Sequence, residues 1–408
     1  MTLNGLLPVF ARDPQLADAI ERAKGMADAH EVIGPRALSP MLMALLAESD
    51  YGNRTVLAVT ATTREAEDLA GELRGFLSAD AVVEFPAWET LPHERLSPTH
   101  DTVGRRLQVL RRLSHPDDRW SGSGEIKVVV AGVRALLQPI VTGLGDLEPV
   151  SVRAGESPGL EAVVEQLISI GYGRTDLVTR RGELAVRGGI VDVFVPTDDH
   201  PLRLEFFGDE VEEVRSFSVT DQRSLDLVER GLWAPPCREV LLTPEVRQRA
   251  KELAEQYPEL IDILEPLSQG IHVEGMESLA PVLCGGMSTL LELLPHDALT
   301  VVCEPERVRR RAEDLLATSA EFLAAGWQAA ATGGQAPLDV SAASYRTLTQ
   351  MREQASDLGL AWWTFAPFGM DEFDPGEGVQ SDAGPSGISA IAGFRGDVSA
   401  AMNLVGKR

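Results

Sequence analysis

Val56-Leu57-Ala58-Val59-Thr60-Ala61-Thr62-Thr63-Arg64-Glu65-Ala66 is the stretch from which the fold reads. Its first five residues are apolar or β-branched without polar alternation, the pattern of a strand covered on both faces. Thr62 followed three residues later by Glu65 reads as a capping box that opens a helix. Ala66, Leu69, Ala70, Leu73 and Leu77 then fall on one helical face. A buried strand running into an amphipathic helix is the repeating unit of a parallel α/β sheet.

Outward from there the unit recurs. Val82 and Val83 read as the next strand, Val103 to Leu113 as a helix with Leu107 and Leu110 inward, Ile126 to Val130 as a buried strand, and Val133 as the start of a helix. From about Ser151 the character changes. One helix, Leu160 to Ile170, precedes short strands at Leu184 to Val186, Ile190 to Val195 and Leu202 to Phe207. Gly208-Asp209 is a tight-turn signal before a return strand through Val211, Val214 and Phe217. This predicts a small antiparallel α+β unit. After about Pro235 helices return. Thr243-Pro244 is an N-cap with proline at the first helical position, Leu299 to Cys303 reads as a strand, and Glu306 to Ala324 and Ser344 to Ala355 read as helices. Asp374 to Gly396, rich in Gly, Ser, Asp and Pro, reads as a loop.

The chain has 408 residues, enough for about two or three domains. A net charge of −25 argues against a free-standing nucleic-acid binder and favours basic or mixed-charge protein partners. Cys237, Cys284 and Cys303 form no CxxC pair, so zinc is not indicated and a reducing, cytoplasmic setting fits. No signal peptide is visible, and no stretch approaches the roughly 18 apolar residues of a membrane span.

Nucleotide chemistry needs a glycine-rich turn, a lysine for the phosphates and Ser/Thr for magnesium. The only lysines are Lys24, Lys127, Lys251 and Lys407, and none lies in such a motif. The best-placed turn begins at Gly34, but Ser39, Pro40 and Met41 stand where Gly, Lys and Ser/Thr are required. Asp371-Glu372-Phe373-Asp374 has the look of an acidic magnesium box, yet no strong apolar strand precedes it, and a solvated acidic turn is the simpler reading. The histidines show no metal spacing, and the Arg307, Arg309, Arg310, Arg311 run is interleaved with Glu304, Glu306, Glu313 and Asp314 as a salt-bridged helix face. No catalytic constellation emerges, and no metal site.

Two features point to a partner. Along Leu202 to Phe207, Leu202, Leu204 and Phe206 share one face while Arg203, Glu205 and Phe207 share the other. An aromatic beside an arginine on an outward strand has the composition of a protein–protein anchor. The alternative is that Phe207 packs under a neighbour and Arg203 pairs with a local acid. Arg174, Arg180, Arg181 and Arg187 also form a basic island leading into the same small sheet, suited to carboxylate recognition.

Three strings resemble a known family. Phe85-Pro86-Ala87-Trp88-Glu89-Thr90-Leu91-Pro92, continuing to Ser97-Pro98 and Asp101, looks like a signature of bacterial transcription-repair coupling factors, Mfd. Arg187-Gly188-Gly189-Ile190-Val191-Asp192-Val193-Phe194 and Arg203-Leu204-Glu205-Phe206-Phe207-Gly208-Asp209-Glu210 are similar to strings shared by Mfd and the excision-repair protein UvrB. The resemblance covers nearly the whole chain. It implies two incomplete RecA-like lobes with a small domain inserted between them: lobe 1a over 1–148, the insert over 149–234 and lobe 1b over 235–408. It implies further that the insert binds UvrA through Arg187, Arg203 and Phe207, with Arg180 and Arg181 nearby, and that Arg203→Glu abolishes binding with the fold intact.

The Gly34 turn departs from UvrB's working phosphate loop, and only the short polar stretch His115 to Gly124 stands where UvrB has its damage-probing hairpin. The resemblance therefore implies a non-catalytic fragment without a cofactor. Motor domains using ATP, magnesium and duplex DNA, a region meeting RNA polymerase, and a C-terminal domain masking the insert would lie beyond Arg408. Rival readings are a weak DNA-binding or ATP-hydrolysing lobe and a scaffold that only packs against the motor.

Overall fold

The computed structural model describes residues 3–91, 94, 96–118, 125–331 and 344–367. Its strands are β1 (Glu31–Ile33), β2 (Val56–Thr60), β3 (Val82–Phe85), β4 (Val128–Gly132), β5 (Ile140–Val141), β6 (Val150–Val152), β7 (Gly173–Arg174), β8 (Glu183–Arg187), β9 (Ile190–Val193), β10 (Leu202–Phe207), β11 (Glu210–Phe217), β12 (Ser224–Leu227), β13 (Leu232–Ala234), β14 (Met287–Ser288), β15 (Leu299–Cys303) and β16 (Ala361–Ala366).

Six of these form one parallel sheet in the order β1-β16-β15-β2-β4-β3. The expected α/β architecture is therefore present, and the segments before and after the insert share one sheet. β15 and β16, from beyond the insert, lie between β1 and β2 from before it. Successive residues of the central strands go to opposite faces, and both faces are covered. Val56, Ala58, Val128 and Val130 pack against the Pro14–Lys24, Ser39–Ala47 and Thr63–Leu73 helices. Leu57, Val59, Val129 and Ala131 pack against the opposite layer, which includes His100–Ser114 and Pro305–Ala331. That double burial is why these strands read as unbroken apolar runs.

The inserted unit is a second sheet, ordered β12-β11-β10-β9-β8-β7, antiparallel except for the short β7–β8 pair. Leu184, Val191, Val193, Leu202, Leu204, Val211 and Val214 bury one face against the Leu160–Ser169 helix. Val211 and Val214 share that face despite their odd spacing because a bulge between them shifts the register. The chain enters and leaves the unit through a two-stranded ribbon, with Val150–Val152 paired to Leu232–Ala234.

Several boundaries differ from expectation. The predicted Ser344 helix begins at Leu348, where Thr347 and Gln350 form the capping box. Thr62 does accept from the Glu65 amide, but the Glu65 carboxylate turns to Arg307, 2.5 Å away, so the box is only half made. Ala361–Ala366 is a buried strand ahead of the Asp371 acidic run, which corrects the reading that none precedes it. Asp371–Asp374 and the loop after it lie outside the described residues.

Candidate partner-docking site

Two glycine turns build the candidate site. Arg187 pairs with Ile190 across Gly188-Gly189, and Phe207 pairs with Glu210 across Gly208-Asp209. Gly188 at φ 59° and Gly208 at φ 63° supply the left-handed residue that a two-residue hairpin needs. The hairpins lie side by side, joined by the Phe206 amide donating to the Gly189 carbonyl at 2.7 Å. Their tips therefore carry Arg187 and Phe207 to one end of one face. Phe207 is 76% exposed, the largest exposure among the big apolar side chains described. A ring that size left in water, on a sheet whose other face packs against a helix, is a contact left open. Arg187 is exposed too, steadied by donating to the Asp176 carbonyl at 2.9 Å.

Arg203 shares this face but not this freedom. Its Nε and Nη2 donate to Asp192 Oδ1 and Oδ2 at 2.7 and 2.9 Å. Its guanidinium also lies 4.7 Å from the Phe217 ring centroid, and Nη1 donates to the Gln222 carbonyl. The side chain is 14% exposed and Asp192 only 2%. The bonds to Asp192 push the guanidinium pKa further up. The local-acid alternative thus holds for Arg203, whereas the anchor reading fits Phe207. It also corrects the expectation that Arg203→Glu leaves the fold intact, because the new carboxylate would meet a buried one.

The basic island does not form one patch. Arg181 turns to the parallel-sheet body, pairing with Asp101 at 3.1 Å and donating to the Asp198 carbonyl. Arg180 is exposed, its amide donating to Glu183. The Arg307–Arg311 run behaves as expected of a solvated helix, with Arg309 bridging Glu306 and Glu313.

At the Gly34 turn, the strand-to-helix geometry is present but the cradle is filled. A Cβ on Gly34 would stand 2.7 Å from Leu38 Cδ2. Ser39 and Pro40 are buried at the start of the helix, and Met41 is half-buried. The adjoining cleft is lined by Arg36, Glu65, Asp68, Glu72 and Glu304, a carboxylate-rich wall that repels phosphate. Among the described residues no group of His, Cys, Asp and Glu is arranged to hold a metal, and no helix is long and apolar enough to cross a membrane.

The Phe85–Asp101 string proves to be internal scaffolding, a role that sequence patterning did not reveal. The fully buried Arg106 donates to Glu239 Oε1 at 2.5 Å and to the Pro86 carbonyl, and stacks over Phe85. The Trp88 indole N–H donates to the same Glu239 oxygen at 2.8 Å. Ser97 Oγ donates to Glu277, which also receives Arg238. Burial works against ionisation of Glu89, but hydrogen bonds from Thr102 and Thr99 outweigh it and lower its pKa. The bonds of Arg106 and Trp88 to Glu239 and of Ser97 to Glu277 fasten the segment before the insert to the segment after it.

Comparison with known proteins converges on the same unit. Residues 150–235 match the family described as UvrB interaction domain. Over 380 residues, 89% of the chain, it is 45% identical to the transcription-repair-coupling factors of Mycobacterium bovis and Mycobacterium tuberculosis, covering 30% of each. It is 34% identical over 260 residues to that of Myxococcus xanthus, covering 59% of this chain and 21% of the relative. The chain thus spans under a third of the length of the relatives it matches. It belongs to the transcription-repair-coupling factors, as a UvrB-like N-terminal region that carries a UvrB interaction domain.

Proposed function

We propose that this region is an adaptor that recruits UvrA, the damage-recognition partner of UvrB, through the hairpin end of its inserted sheet. The observation that carries the reading is the exposed Phe207 ring beside Arg187 on two abutting glycine-turned hairpins. Phe207 fills an apolar recess on UvrA, and Arg187 meets a carboxylate there. Arg203 holds the face from beneath, while Arg180 and Arg181 lie off its edge. In the whole protein, recruitment would be coupled to a stalled RNA polymerase in the cytoplasm by an ATP-driven DNA translocase. Its nucleotide, magnesium, DNA and polymerase contacts belong to domains beyond this chain, as does a domain able to mask the insert.

The filled Gly34 turn and its acidic cleft support an adaptor over an ATPase lobe. A fluorescent ATP analogue with magnesium should give no saturable signal with the chain, and a saturable one would restore the ATPase reading.

Size-exclusion chromatography with UvrA tests the docking directly. The wild-type chain should co-elute with UvrA. The Arg187→Ala/Phe207→Ala variant should elute alone with an unchanged melting temperature. Co-elution of that variant to the wild-type extent would overturn the placement, and failure of folded wild-type chain to co-elute would overturn the adaptor role.

A further inference from the structure

Cross-strand register places more on this face than the hairpin tips. Arg203 stands opposite Asp192 on β9 and opposite Arg215 on β11, and Arg215 stands opposite Leu227 on β12. Paired residues point to the same side of a sheet, so Leu227 shares the face of Phe207. Leu227 is 54% exposed and sits on the edge strand, all four of whose residues are exposed. Four residues along β10 and two strands across separate it from Phe207, about 16 Å from standard strand spacings. A partner covering the roughly 800 Å² of an ordinary interface spans that distance.

Between the two apolar ends lies a row of Arg187, Ile190, Glu205 and Glu213, set by the same register. Glu213 is bonded to Arg215 at 2.7 Å. The Glu205 carboxylate is half-buried, makes no direct side-chain hydrogen bond or ion pair among the described residues, and lies in the field of Arg203 and Arg215. Arg187 at one flank has no acidic side-chain partner among the described residues. The face is therefore ordered: a cation on β8, a carboxylate on β10 that makes no direct bond, and apolar anchors at the hairpin tip and on the edge strand.

The lower part of the face is already closed by Val178, Phe194 and Phe217. Arg203 ties the closing segment down through the Gln222 carbonyl and Ser224 Oγ. It thereby fixes the start of β12, which makes it a positioning residue for Leu227.

We infer that the docking surface runs across the whole open face, with Leu227 as a second apolar anchor and Glu205 as the acceptor for a partner lysine or arginine. This rests on the UvrA reading and deepens it. The partner surface would present a carboxylate to Arg187, a cation to Glu205, and two apolar patches about 16 Å apart. Charge complementarity of that order also fixes the partner's orientation on the face.

Titration calorimetry with UvrA separates this inference from the one it rests on. Leu227→Asp and Glu205→Lys, compared with wild type and Phe207→Ala, should each weaken binding about tenfold or more. Leu227→Asp should leave the melting temperature unchanged, and Glu205→Lys should lower it slightly, since it sets a cation near Arg203 and Arg215. Glu205→Gln should weaken it less than Glu205→Lys. If Phe207→Ala weakens binding while Leu227→Asp and Glu205→Lys bind as wild type does, the extended face is overturned and the hairpin site stands. If Phe207→Ala itself binds as wild type does, both readings fall.

Discussion

Arg203→Ala should loosen the inserted sheet, and the size of the effect follows from the pair it breaks. The guanidinium makes two hydrogen bonds to a carboxylate that is 2% exposed. Breaking a buried ion pair from one side costs about 3–5 kcal/mol, because the remaining charge is stranded. The arginine side chain is itself 14% exposed, which puts the expected cost at the low end, roughly 3 kcal/mol. Loss of the stack on Phe217 adds about 0.5–1 kcal/mol. A local opening easier by 3 kcal/mol means amide exchange about a hundredfold faster at a pH where exchange tracks the open population. Native-state hydrogen exchange should show that acceleration in β9 to β12 and leave β2, β4 and β15 unaffected. Arg203→Ala/Asp192→Asn should recover part of the protection, since no buried charge is left unpaired. Phe207→Ala should change exchange within error, because its ring makes little contact in the free chain. Exchange in Arg203→Ala within threefold of wild type would refute the reasoning and return Arg203 to the role of a direct anchor.

Three further outcomes follow. Glu239→Ala should cost about 3–5 kcal/mol in urea unfolding, since it strands the buried Arg106 and the Trp88 indole N–H together; Arg106→Met/Glu239→Leu should recover much of it. Gly104→Ala should weaken docking of the insert by about 1–3 kcal/mol, because its Cβ would stand 2.3 Å from Pro196 Cβ; limited proteolysis should then cut faster near residues 148–153 and 230–237. Burial, then Arg238 and His100, lowers the His272 pKa from 6.5 to about 4, and its Nε2 lacks a hydrogen-bond partner among the described residues. The unfolded chain therefore binds that proton first, so this contribution to stability is intact above pH 6.5 and lost as pH falls toward 4. His272→Asn should flatten the melting profile in that window, and an unchanged profile would contradict it.

How much of this was legible in the sequence depends on the range of the interaction. Local signals held well. Val56–Thr60, Leu202–Phe207 and Leu299–Cys303 are strands as read, and Thr243 caps its helix with Pro244 next to it. Phe207 stands out because strand alternation and a glycine turn are both local. The misses are long-range or unpatterned. Ala361–Ala366 buries Ala361, Trp363 and Phe365 on one face and half-buries Trp362 and Thr364 on the other, with two tryptophans and a threonine in place of an aliphatic run, so periodicity did not flag it. The pairing of Arg203 with Asp192 needs the β9–β10 register, which places residues 11 apart in sequence directly opposite each other. The Arg106–Glu239–Trp88 network joins residues more than 130 positions apart, and nothing in the string around Trp88 says that its partner lies beyond the insert. The Arg174–Arg187 island was visible as a count, but the direction of each side chain was not, and Arg181 points away from the candidate face.

The central claim is that the open end of the inserted sheet is where UvrA sits. The most direct measurement is a hydrogen-exchange footprint of this chain with and without saturating UvrA. The account predicts slowed exchange over residues 187–190 and 205–210, with 224–227 included if the whole face is covered, and no change around the Gly34 turn. Protection confined to the parallel-sheet body, or none at the two hairpins under saturating UvrA, would contradict it.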